Sequence, residues 1–169
     1  MAGRIEPAYD PATGKLQLLK YDADGDRRID TWSYMDGSRV VLVEIDRDRD
    51  SKIDRWEYYG PDQQIERVGF SRANDGTADS WAYYAPDGSM ARLEVSTHRD
   101  GVVDRTEYFE AGAIVRAEVD TDADGKTDKW ETYESRRLAA VAFDTKRKGS
   151  PDRRIVYAPD GTVRAEVIP

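Results

Sequence analysis

Asp120-Thr-Asp-Ala-Asp-Gly-Lys-Thr-Asp-Lys-Trp-Glu-Thr-Tyr133 joins two patterns in one stretch. Its first nine residues place Asp at positions 1, 3, 5 and 9, around a glycine at position 6. The residues that follow alternate in polarity, as a half-buried strand does. The second half recurs along the chain as Asp30-Thr-Trp-Ser-Tyr-Met35, Asp54-Arg-Trp-Glu-Tyr-Tyr59, Asp79-Ser-Trp-Ala-Tyr-Tyr84 and Asp104-Arg-Thr-Glu-Tyr-Phe109. Asp152-Arg-Arg-Ile-Val-Tyr157 closes the series, with Arg154 in the Trp position. The leading Asp residues are 24, 25, 25, 24 and 24 apart. A fixed period of this length marks a repeat architecture. Six repeats fill residues 15–169, read as one β-repeat domain behind an N-terminal extension, 1–14.

Each repeat reads as strand, acidic loop, strand, tight turn. Ala85-Pro-Asp-Gly-Ser89 suits a type I turn with a glycine bulge, and Asp36-Gly-Ser-Arg39 suits a type II′ turn. Glu110-Ala-Gly-Ala113 is a second two-residue connection. These turns predict a register in which Tyr108 faces Val115, Glu107 faces Arg116 and Arg105 faces Glu118. Opposed residues share a face. One face is then expected to carry Trp32, Trp56, Trp81 and Trp130 together with Val43, Val68, Val141, Phe70 and Val119. The other should carry opposed charges such as Glu57 with Arg67. The expected fold is all-β: an antiparallel meander of about twelve short strands from six hairpin repeats of roughly 24 residues. An apolar face that large must be covered. Closure as a barrel, folding as a sandwich, and pairing with a second copy as a homodimer all satisfy that demand.

The chain has 169 residues, 26 Lys and Arg against 34 Asp and Glu, and a net charge of −8. The acid divides into 23 Asp and 11 Glu. Asp favours turns, caps and metal loops, so this bias argues against long helices. Net negative charge argues against a nucleic-acid partner. No apolar run is long enough to span a membrane as a helix. Cys is absent and His98 is the one histidine, which excludes thiol chemistry and any site needing two imidazoles. With 10 Tyr, 4 Trp and 3 Phe the chain is too aromatic for a solvated tail.

Positions 1, 3, 5 and 9 of the six loops hold 18 of the 23 Asp residues. Loop one has Asp22, Asp24, Asp26 and Asp30. Loop two has Asp46, Asp48, Asp50 and Asp54. Loop five has Asp120, Asp122, Asp124 and Asp128. The same positions in loop three are Ser71, Ala73, Asp75 and Asp79. In loop four they are Ser96, His98, Asp100 and Asp104, and in loop six Asp144, Lys146, Lys148 and Asp152. Three or four carboxylates wrapped around one point repel each other unless a cation joins them. A hard cation such as Ca²⁺ takes six to eight oxygens.

Asp120 to Glu131 resembles the twelve-residue EF-hand calcium loop at every liganding position, and Asp46 to Glu57 resembles it with Ser51 in place of glycine. The resemblance implies side-chain ligands at positions 1, 3, 5 and 12, the backbone carbonyl of Lys126 at position 7, and water at position 9. The flanks lack helical periodicity, so the loops look more like the DxDxDGxxD loops of dockerins, thrombospondin repeats and integrin-type propellers. Segments such as Tyr83 to Leu93 are weakly similar to bacterial YD-type repeats. Glu57 and Glu131 at position 12 are candidate ligands; for Glu57 and Glu107, each facing a cross-strand Arg on the expected polar face, ladder ion pairs are the alternative role.

Ca²⁺ is therefore the expected cofactor, held in loops one, two and five. The expected function is a non-enzymatic, calcium-binding scaffold or adhesion module outside the cytoplasm: periplasmic, at the cell surface or secreted. No signal segment precedes the repeats, and Met1-Ala-Gly3 reads as an added start. A polysaccharide- or peptide-binding module that uses Trp32, Trp56, Trp81 and Trp130 is the alternative, because rings stack on sugars and anchor partners.

Overall fold

The computed structural model describes residues 4–168; the expected added start at residues 1–3, and Pro169, lie outside the described residues. The chain divides into two compact units, Met1–Gly88 and Ser89–Pro169. Unit one contains β1 (Arg4–Tyr9), β2 (Leu16–Asp22), β3 (Thr31–Asp36), β4 (Arg39–Ile45), β5 (Arg55–Tyr59), β6 (Ile65–Phe70) and β7 (Ser80–Tyr84). Unit two contains β8 (Met90–Val95), β9 (Arg105–Glu110), β10 (Ala113–Val119), β11 (Lys129–Glu134), β12 (Arg137–Phe143), β13 (Arg153–Tyr157) and β14 (Val163–Val167). Among the described residues every regular element is a strand, and no helix is long and apolar enough to cross a membrane. The fold is all-β, with fourteen strands where about twelve were expected. The added pair are β1, which lies in the N-terminal extension and pairs with β2, and β14, which pairs with β13.

Within each unit every strand pairs antiparallel with its neighbour in the chain, and the strand order is the chain order. Strands of one unit touch only those chain neighbours. Neither unit closes on itself or folds over as a sandwich, which corrects the expected barrel or sandwich at this level. The cause is the connection geometry. Short turns at one end and nine-residue loops at the other join adjacent strands only, so each unit is a single layer.

The expected faces are also corrected. Trp32 lies opposite Glu44, Glu44 opposite Trp56, Trp56 opposite Gly69, and Gly69 opposite Trp81. The parallel row is Tyr34, Leu42, Tyr58, Arg67 and Tyr83. Val43, Glu57, Val68 and Ala82 form a row on the opposite face. The tryptophans and the valines therefore do not share one apolar face. In unit two, Tyr108 pairs with Arg116 and Glu107 with Ala117, one residue away from the expected register. The reason is a β-bulge near the turn: Phe109 pairs with Ile114, Tyr108 with Arg116, and Val115 is skipped. Similar shifts occur at Tyr34/Met35, Tyr58/Tyr59 and Thr132/Tyr133. One extra residue on one strand moves every later side chain to the other face.

Burial in a single layer comes from long side chains lying over small ones. Val68, Ala82, Ala117 and Val141 are buried. Ala117 sits in register between Glu107 and Glu131. On the tryptophan face, Arg67 lies 4.0 Å from the Tyr58 ring centroid and 4.9 Å from that of Trp81. Trp56 and Trp81 are 6.4 Å apart and tilted by 38°. Arg116 covers Tyr108 in the same way, at 3.5 Å. Guanidinium–ring stacks of this kind cover part of the exposed ring faces.

Candidate metal centre

The acidic loops connect the strands at one end of each unit: loops one to three in unit one and loops four to six in unit two. All six are built alike. The N–H at position 9 donates to the carbonyl of the residue preceding position 1, as Asp30 does to Tyr21, Asp54 to Ile45 and Asp128 to Val119. The residue at position 1 donates to the position 9 carbonyl of the preceding loop: Asp46 to Asp30 at 2.9 Å, Asp144 to Asp128 at 2.9 Å. Within each unit, consecutive loops are thereby tied into a row.

Positions 4 and 6 are left-handed in every loop. Position 6 is Gly76, Gly101, Gly125 and Gly149, as its glycine signal suggests, and also Arg27 (φ 75°) and Ser51 (φ 76°). Position 4 gives no such signal: Gly25, Arg49, Asn74, Arg99, Ala123 and Arg147 all have φ between 54° and 81°. Only Gly and Asn among these take that conformation readily. The double left-handed bend turns backbone N–H groups inward, where the Asp side chains accept them.

Those acceptances fix the carboxylates. Asp22, almost fully buried, accepts from the N–H of Gly25 (2.7 Å) and Arg27 (2.9 Å). Burial opposes its charge, but the backbone donors outweigh burial and hold its carboxyl below the ordinary range. Asp46 accepts from Ser51, and Asp120 from Gly125 at 2.7 Å. At position 9, Asp30 accepts from Ala23, Asp54 from Arg47, and Asp128 from Thr121. At position 5, Asp26, Asp50 and Asp124 each accept from the N–H two residues on.

Three sets of carboxylates come together, with oxygens all within 4.8 Å of one another. They are Asp22, Asp24 and Asp30 in loop one, Asp46, Asp48 and Asp50 in loop two, and Asp120, Asp122 and Asp128 in loop five. These are the three loops with the full Asp pattern. Asp26, Asp54 and Asp124 stand outside the sets and serve as backbone acceptors. The residues fit a hard cation, since the donors are all oxygens and like charges are crowded. Loop two carries a further mark: Asp46 is 4% exposed, yet its Oδ1 has no hydrogen-bond partner. Asp79 of loop three and Asp144 and Asp152 of loop six also keep one unpartnered buried oxygen each.

Position 12 lies apart from these sets. Glu57 accepts from Arg55 Nε (2.6 Å) and from the Tyr59 hydroxyl (2.7 Å). Burial, then the Glu57 carboxylate, pushes the Tyr59 hydroxyl up to about 12. Glu131 accepts from Arg105 (2.8 Å) and Tyr133 (2.8 Å), and its other oxygen is 2.7 Å from Lys129 Nζ. The partner of Glu57 is thus Arg55 on its own strand; Arg67 is engaged with Tyr58 and Trp81.

Cations also reach the loops from neighbouring repeats, a feature the spacing of Asp does not disclose. Arg49, at position 4 of loop two, lies 2.6 Å from Asp24 Oδ2 in loop one. Arg147, at position 4 of loop six, lies 2.5 Å from Asp122 Oδ2 in loop five. Asn74, at position 4 of loop three, donates to Asp48 Oδ2 at 2.7 Å. In loop four His98 Nδ1 is 2.7 Å from Asp104 Oδ2. The candidate ring residues stay on strands: Trp32, Trp56 and Trp81 share one face of unit one, and Trp130 belongs to unit two.

No family model matches the chain, and no curated protein matches it. Among solved structures, the chain is similar to a Staphylococcus aureus TarM mutant in complex with fondaparinux, α-GlcNAc-glycerol and UDP. The identity is 11%, over 66% of this chain and 21% of that one, with a TM-score of 0.49. It is also similar to a glycosylation-associated protein complex of Streptococcus agalactiae (16% identity, 70% and 19% covered, TM-score 0.38). A third is the accessory secretory protein 1, 2 and 3 structure of Streptococcus pneumoniae (14%, 83% and 19%, TM-score 0.32). The chain spans about a fifth of the length of these matched chains. The expectation of a non-enzymatic protein is not borne out beside these neighbours, and the likeness to them is one of fold alone.

Proposed function

We propose that the chain is a calcium-binding β-repeat protein that acts outside the cytoplasm as a scaffold or adhesion module, with Ca²⁺ in loops one, two and five stabilising the sheet. The crowding of three carboxylates in each of those loops carries the reading. Without a cation such crowding costs stability, and with one it contributes stability, so binding and folding are linked. Millimolar calcium outside cells suits loops of this modest charge. Melting the chain in calcium and in EDTA tests the reading. A higher Tm in calcium, with saturable heat in a calcium titration, is expected. An unchanged Tm together with no heat overturns it.

A second reading is favoured by one observation. Trp56, Tyr58, Arg67 and Trp81 form a continuous stacked patch on one face of a single layer. Such a patch suits a polysaccharide, a peptide, or the same face of a second copy. Tryptophan emission that shifts on glycan or peptide addition supports the ligand; a concentration-dependent dimer supports the second copy.

A further inference from the structure

We propose that the cation site of loop two is shared between two repeats, and that the side-chain carbonyl of Asn74, from loop three, is one of its ligands. The proposal rests on the calcium reading above and adds a residue outside the Asp pattern. Asp46 is buried, belongs to the loop-two set, and keeps Oδ1 without a partner. The same orphan recurs at Asp79, Asp144 and Asp152, but only at Asp46 does it belong to a gathered set of three carboxylates, where a cation is the partner it lacks.

Asn74 has the complementary peculiarity. Its Nδ2 is 2.7 Å from Asp48 Oδ2 and 3.4 Å from Asp50 Oδ2, so the amide lies against the cluster. Its Oδ1 is buried and also without a partner. The two ends of an amide occupy nearly the same space, and a half-turn exchanges them. Against bare carboxylates the NH₂ end is preferred. Against a bound cation the carbonyl end is preferred, because hard cations take amide oxygens. The same half-turn frees Asp48 and Asp50 to ligate.

Position 4 also explains how the repeats differ. Arg49 and Arg147, at the same position, deliver a guanidinium to Asp24 and Asp122. Loops one and five thus receive an internal cation from the next repeat, and loop two receives an amide. The ammonium beside loop two is Lys52 Nζ, 3.4 Å from Asp50 Oδ2 and donating to the backbone carbonyl of Asn74 at 3.1 Å. Its side chain is 49% exposed and flexible enough to leave. Loop two is accordingly the tightest of the three sites.

The test uses the full chain, titrated with Ca²⁺ by calorimetry and melted in EDTA. Asn74→Gly keeps the left-handed backbone and removes the ligand; one class of sites should weaken by about tenfold, the worth of one good polar contact. Asn74→Asp should do two opposite things: lower the Tm in EDTA, by adding charge beside Asp48 and Asp50, and tighten that same class. A merely structural role for Asn74 would not give opposite signs. Asp46→Asn identifies the class by abolishing it. If Asp46→Asn removes a class that both Asn74 variants leave unchanged, the shared ligand is wrong and the calcium reading stands. If the wild-type chain takes up no calcium, both fall.

Discussion

Arg105 on β9 and Glu131 on β11 form an ion pair of 2.8 Å across the intervening strand β10, over Ala117. The guanidinium also bonds Glu107 on its own strand, so one side chain ties β9 to β11 across β10. Burial opposes the Glu131 charge, but Arg105, Lys129 and Tyr133 outweigh it and bring its carboxyl to about 2, below the ordinary 4.5.

Acid should unlock this network. A carboxyl whose folded value is depressed stabilises fully above its unfolded value and loses that contribution as pH falls through the folded one. Stability should therefore drop between roughly pH 5 and pH 2 by an amount on the order of 3 kcal/mol from this group. Glu131→Gln should remove that step from the acid-unfolding curve. It should leave calcium affinity unchanged, since Glu131 stands outside the loop-five carboxylates. A loss of affinity in this variant would restore the ligand role.

Gly69 lies beneath the Trp81 ring, and a Cβ there would stand 2.7 Å from a ring carbon. Gly69→Ala should displace Trp81 from Arg67 and Tyr58 and cost about 1–3 kcal/mol. Urea unfolding measures the loss, and a red shift of tryptophan emission reports the ring's exposure.

Arg49→Gln separates two effects of one guanidinium. Both partners of the Arg49–Asp24 pair are more than a third exposed, so removing it should cost under about 1 kcal/mol in EDTA, less at high salt. Calcium affinity of loop one should rise, because its internal cation is gone. Titration of the variant alongside wild type checks both signs.

Ala123 holds φ of 58° at position 4 of loop five. Ala123→Gly relieves that strain and should raise stability by about 0.5–1 kcal/mol, since glycine visits this region freely. Thermal melting in EDTA measures it without interference from calcium.

Much of this protein was legible in residue order alone. The 24-residue period, the all-β class and the phase of the Asp residues are local properties, and backbone stiffness and turn chemistry act within a few residues. The three loops with the full Asp pattern are the three that gather carboxylates, because a nine-residue loop closed by its own backbone leaves them little choice. Position 6 announced itself through four glycines; position 4 did not, because Arg49, Ala123 and Arg147 are held left-handed by their neighbours rather than by preference.

The rest was decided between strands. A bulge such as that at Val115 adds one residue to one strand and exchanges the faces, so tryptophans expected beside Val43 and Val68 lie opposite them. Whether Glu131 meets a cation in the loop or Arg105 two strands away depends on that register. The reach of Arg49 to Asp24 and of Asn74 to Asp48 depends on how loops stack, 25 and 26 residues apart in the chain. Periodicity specifies what each repeat contains; only the packing of one repeat against the next determines which charge meets which.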